Sequence, residues 1–259
     1  MNDLTNLALN LPVLVLVICR SGAILMTAPV LSGTSVPARV RVALAALLSL
    51  IMYPIAMQYS GPLPTGVLAY APLVLREMGM GLMMGFAGAV AIASLEAAGG
   101  LIAQQVGLTL VEMSNPDREE EESDQVTVFY GIFALLLFLA VDGHHWFIQA
   151  LALSYREVPL GQAEFGPRLA ELFNGQVDGL FTIALRVAAP VMAIMFMVNV
   201  VVALMAKSVP QMNILMVGYP VKVMIGVVAM ALTFPLILPV ARDAFAGLHR
   251  DLLTIVRVL

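Results

Sequence analysis

A single cysteine, Cys19, stands in a chain of 259 residues, so the sequence holds no internal disulfide framework and no cysteine-based metal centre. Histidine is nearly as scarce, with three copies. None belongs to a His-Glu-x-x-His arrangement, and no metal site is expected. Charge is thin as well: Asp, Glu, Lys and Arg make up 12% of the residues, about half the share usual in soluble domains. The net charge of −4 owes much to one acidic run and gives no ground for a nucleic-acid partner. No serine sits in a Gly-x-Ser-x-Gly elbow, and no glycine-rich loop opens a helix in a phosphate-binding pattern. With neither nucleophile nor nucleotide seat in view, the chain is expected to be no enzyme and to carry no cofactor.

What the sequence has in abundance is apolar surface. Hydrophobic residues form 61% of the chain, which marks an integral membrane protein of the all-α class. Apolar segments fall at about Leu9 to Leu31, Val40 to Met57, Gly66 to Leu95, Val126 to Leu153, Leu180 to Met205 and Ile214 to Ala241. Most exceed the roughly 20 residues that cross a hydrocarbon core. Hydropathy alone predicts six helical spans with both ends on one side, forming a single domain over residues 1–259. The start Met1-Asn2-Asp3-Leu4-Thr5 lacks a basic leader, which predicts that the first apolar segment stays in the membrane.

Three features disturb a plain six-span reading. Arg20, Arg76, Glu77, Arg186 and Lys222 lie inside apolar segments, where each charge costs roughly 2.5 to 3.5 kcal/mol at a bilayer centre. Arg76 and Glu77, being neighbours, point about 100° apart on a helix, so each needs a partner on another helix or chain. Lys222 is equally well placed to extend its ammonium group to an interface. Prolines 12, 29, 54, 72, 190, 235 and 239 fall within or at the ends of the segments, where each frees a carbonyl that lipid cannot satisfy. Kinked helices of this kind need protein neighbours. In the third segment Gly81 and Gly85 stand at the small-xxx-small spacing that lets another helix approach closely. Finally, the loop arginines and lysines show no consistent bias when alternate loops are assigned to opposite sides, which fits hairpins assembled with partners better than independent spans.

Between the third and fourth segments lies the stretch that stands apart. It begins with Gly99-Gly100, continues through Gln104-Gln105-Val106-Gly107-Leu108-Thr109-Leu110-Val111-Glu112-Met113 to Ser114-Asn115-Pro116, and ends in the acidic run Asp117 to Asp124. It is too broken for a span and too apolar for a solvated linker. A loop tucked inside a larger structure fits it best. The acidic run reads either as a solvated face or as an acidic lining for basic substrate segments. Asp142-Gly143-His144-His145-Trp146 reads as a polar helix interruption suited to a membrane interface rather than as a metal site.

Several pieces, taken in order, carry a family resemblance. They are Arg20-Ser21-Gly22-Ala23 with Ala28-Pro29-Val30, the Val36-Pro37-Ala38-Arg39-Val40-Arg41 turn, Gly85-Phe86, Ala98-Gly99 to Gln105-x-Gly107-Leu108, Phe138-Leu139 leading to Asp142-Gly143-His144, Ser154 with Pro159 and Gly161, Ala189-Pro190, Pro210-Gln211-x-Asn213, and Val217-Gly218-x-Pro220. In this order the chain resembles the flagellar biosynthetic protein FliR family, which includes the corresponding injectisome export protein. The resemblance runs from about Leu11 to Leu238.

It implies a subunit of the flagellar type III protein export gate in the bacterial inner membrane, at the flagellar basal body. FliP-like and FliQ-like membrane subunits are the implied channel partners, FlhB-like and FlhA-like components the further ones, and unfolded flagellar proteins the substrates. It also implies that the loop of about residues 106–125 plugs the closed channel, with Val106, Gly107, Leu108, Leu110 and Met113 at the plug positions. Arg20, Arg76, Glu77, Arg186 and Lys222 then meet interior polar groups or neighbouring subunits. The injectisome counterpart and a self-sufficient secondary transporter are the alternatives. The end of the plug departs from the family's frequent Asp-Pro, reading Asn115-Pro116, and Ala206-Lys207 stands where the family often has Asn-Arg. Lysine there keeps the charge without the planar fork.

Overall fold

The computed structural model describes residues 11–29, 36–61, 63–64, 66–107, 125–208 and 214–258. Among them are seven helices and no strand: α1 Leu11–Thr27, α2 Ala38–Tyr59, α3 Val67–Val106, α4 Gln125–Ala140, α5 Gly143–Glu157, α6 Pro167–Ser208 and α7 Ile214–Val258. The protein is an all-α integral membrane protein. Four helices, α2, α3, α6 and α7, are long and apolar enough to cross a bilayer, and α4 with α5 makes a fifth if the pair is one broken span. The described part of α1, 17 residues long, is a shorter apolar helix.

The fourth expected segment is therefore two helices, bent by 62°. The break falls at Asp142, whose backbone is left-handed with φ 57° and ψ 31°. Aspartate is one of the few L-residues that tolerate this conformation. The Asp142 amide still bonds the Leu139 carbonyl at 3.1 Å, so the turn closes while the helix axis changes direction. Gly143 follows because the Phe138 ring lies against its Cα and leaves no room for a methyl group.

Other boundaries follow from glycine and proline. Pro37 opens α2 and its carbonyl accepts from the amides of Val40 and Arg41, while α6 starts on Pro167, a favoured first position. Gly107, at φ 89°, closes α3 with its amide on the Ala103 carbonyl at 2.9 Å, the left-handed cap that glycine adopts without penalty. Prolines also sit inside helices: Pro54 in α2, Pro72 in α3, Pro190 in α6, and Pro220, Pro235 and Pro239 in α7.

The described residues divide into two compact units. The first comprises those within Met1–Val90, Phe138–Val177 and Ala246–Leu259; the second, those within Ala91–Leu137 and Asp178–Phe245. In the first unit α1 and α2 form an antiparallel hairpin. The small buried face of α2, Ala45, Ser49, Met52 and Ala56, admits α1 closely, and Ser21 and Ser49 share a hydrogen bond of 2.6 Å across the seam. Whichever serine donates across the seam, the other donates to a carbonyl of its own helix, Ser49 to Ala45 or Ser21 to Val17, so neither hydroxyl is left unsatisfied in an apolar setting. The Gly81 and Gly85 face of α3 is covered by α1: a methyl at Gly81 would meet the Arg20 carbonyl and lie 2.7 Å from Ala23 Cβ, and one at Gly85 would strike Thr27.

In the second unit α3 and α4 pack antiparallel. A methyl at Gly99 would lie 2.9 Å from Thr127 Cα and 3.0 Å from Tyr130 Cβ, and one at Gly131 would lie 2.8 Å from the Glu96 carboxylate. Phe133 and Phe129 meet Phe234 of α7 at ring separations of 4.8 and 6.2 Å. Val106, the last residue of α3, is fully buried and rests on Gly226 of α7, where a methyl would lie 2.6 Å from its Cγ2.

Candidate functional site

Among the described residues Arg20 is the largest fully buried side chain. It lies on the inward face of α1 with Leu16, Val17 and Ile24, one turn before and after it, so the helix period carries the charge into the interior. Glu77 is equally buried and reaches it from α3. Arg20 Nε donates to Glu77 Oε2 at 2.5 Å and Nη2 to Oε1 at 2.9 Å, the paired fork that guanidinium and carboxylate make best. The remaining donors are used on α5: Nη1 to Ser154 Oγ at 3.0 Å, and both terminal nitrogens to the Val158 carbonyl at 3.3 Å. Val158 is the C-cap of α5, so the cation sits where a helix end is negative. The Tyr155 ring lies 4.6 Å from the guanidinium carbon and covers one of its faces. One side chain thereby ties α1, α3 and the end of α5 together.

The lock extends to the turn before α6. The amide of Gly161 donates to Glu77 Oε1 at 2.7 Å, and the Gly161 carbonyl accepts from Arg76 Nη1 at 3.0 Å. Neighbours that point apart on α3 thus hold one residue by its two backbone groups. Gly161 has φ 77°, and a methyl there would lie 2.7 Å from Leu73 Cγ, so both its conformation and its surroundings require glycine. Chemically the arrangement is complete in itself. Each Glu77 oxygen accepts, each Arg20 nitrogen donates, and the cluster holds backbone in place.

The other residues singled out from the sequence are placed differently. Arg76 is exposed apart from its bond to Gly161, Arg186 is exposed on α6, and Lys222 is half-buried on α7. Val106 and Gly107 form the end of α3, while Leu108, Leu110 and Met113 and the acidic run lie outside the described residues. Asp142, His144 and His145 come together in the first turn of α5, all exposed, with donor atoms within 4.8 Å of one another. His145 Nδ1 stands 3.5 Å from Asp142 Oδ1, and the two imidazoles lie 4.2 Å apart.

Sequence reasoning assigned no role to Ser154, Tyr155, Val158 or Gly161. Ser154 and Gly161 are nonetheless visible as a lone hydroxyl late in an apolar segment and a glycine just after Pro159. The Val158 contribution is a backbone carbonyl, which leaves no mark in a residue pattern.

These features define a membrane-embedded, all-helical protein whose buried charges serve its architecture. The family described as bacterial export proteins, family 1, matches residues 11–248, and the chain belongs to it. It is similar to the flagellar biosynthetic protein FliR of Caulobacter vibrioides, 32% identical over 241 residues that cover 93% of this chain and 96% of that one. The protein of the same description from Bacillus subtilis is 28% identical over 258 residues, covering 95% and 96% of the two chains. That of Escherichia coli is 27% identical over 237 residues, covering 92% and 90%. The chain is accordingly a component of the flagellar export apparatus, and not an enzyme.

Proposed function

We propose that the chain, acting as one export-gate domain, builds the core of a type III export channel in the bacterial inner membrane together with FliP-like and FliQ-like subunits. FlhB-like and FlhA-like components complete the apparatus at the basal body, and unfolded flagellar proteins are the cargo. The observation that carries this reading is the match to flagellar FliR relatives along nearly the whole of each chain.

The same reading makes residues of about 106–125 the plug of the closed channel, with Leu108, Leu110 and Met113 as the occluding side chains. Its base is well suited to the task. Val106 is seated on Gly226, and Gly107, at φ 89°, ends α3, which supports a loop that starts from a firm anchor. Apolar side chains at a constriction shed water and so block ions, and unbranched methionine rearranges around a passing chain. Replacing Gly107 to Met113 by small polar residues in the assembled complex is expected to make it leak small ions, read as conductance in planar bilayers. Unchanged conductance with the complex intact would overturn the plug assignment.

A further inference from the structure

The inward face of α6 in the second unit is formed by Ala184, Val187, Ala188, Val191 and Met195, all buried. On the opposite side of the helix runs a different line: Gly179, Thr182, Arg186, Ala189, Ala193 and Phe196. Their alternating steps of three and four residues keep them on one face. Thr182, Arg186, Ala189, Ala193 and Phe196 are exposed, and a methyl added at Gly179 would meet nothing. Around Arg186 no acidic side chain and no carbonyl takes up its donors among the described residues.

Lipid is a poor cover for this line. Exposed Phe181 and Leu185 precede Arg186, and exposed Phe196 and Met197 follow it, so the apolar surface continues on both sides of the charge. A guanidinium within such a surface is costly unless an acceptor meets it. The small side chains flanking it let another helix backbone come close enough to bring one. Both requirements point to the same kind of neighbour. We propose that this face of α6 docks an apolar membrane helix of a partner export-apparatus subunit, and that a carboxylate on that helix pairs with Arg186. The proposal rests on the export-gate reading above and assigns the face through which the chain joins its partners.

The test uses the full chain co-expressed with FliP-like and FliQ-like subunits and purified as a complex. A photoreactive benzoylphenylalanine is introduced at Ala189 or Ala193, with Val228, an exposed position of α7, for comparison. Crosslinks from Ala189 and Ala193 to one partner helix are expected. Arg186→Glu should lower co-purification of that partner about tenfold or more at equal chain abundance in the membrane, because it sets two carboxylates face to face. Arg186→Lys should retain most of it, and a basic residue at the crosslinked partner's acidic position should rescue Arg186→Glu. Crosslinks to lipid alone, crosslinks to a second copy of this chain, or full co-purification of Arg186→Glu would each overturn the docking proposal while the wild-type complex upholds the export-gate reading. Failure of the wild-type chain to associate with those subunits would overturn both.

Discussion

Arg20 and Glu77 set the cost of error in the first unit. A buried ion pair adds little net stability over a well-packed apolar pair, yet removing one member strands the other, at about 3–5 kcal/mol. Arg20→Leu and Glu77→Leu should therefore each destabilise the detergent-solubilised chain by about that amount, while the double variant should lose far less than the sum. Thermal unfolding of the four species checks this; additive losses would mean that the pair is not a coupled unit. Both residues were legible in the sequence as charges that lipid would penalise. Their pairing was not, because 57 residues separate them and no local period connects positions so distant.

At the scale of the element, the turn between α4 and α5 depends on one left-handed residue. Asp142→Gly should keep the bend and leave stability near that of the natural chain. Asp142→Ile should cost about 1–2 kcal/mol, since a β-branched side chain meets its own backbone in that conformation. Unfolding midpoints of the two variants give the comparison, and equal midpoints would show that the bend relaxes elsewhere. Hydropathy read Val126 to Leu153 as one segment because Val141 to Gly143 are too few to interrupt an apolar run. The interruption itself was visible in Asp142-Gly143-His144-His145, although the 62° change of direction was not. The glycines of α3 were easier to read. Gly81 and Gly85 announced a close helix contact by their spacing, and only the fold named α1 as the helix that makes it.

For the whole molecule, α2, α6 and α7 carry exposed apolar side chains, which the proposed function makes surfaces for lipid and for neighbouring subunits. Native mass spectrometry of the chain after co-expression with FliP-like and FliQ-like subunits is expected to show it inside a larger hetero-oligomer. A stable monomer or homodimer that ignores those subunits would instead favour a self-sufficient transporter. By itself the sequence determined the all-α membrane class, because continuous apolar segments of about 20 residues, without the alternation of barrel strands, satisfy their backbone in lipid as helices. Its ordered motifs also pointed to the family, since residue types at set intervals are written directly in the chain. Tertiary structure alone decided the fate of each charge. Arg20 and Arg186 look alike in sequence, each an arginine in an apolar segment, yet one is sealed against Glu77 and the other stands open on α6. The difference lies in which helix packs against each face, and that follows from long-range packing of side chains rather than from the local pattern around either residue.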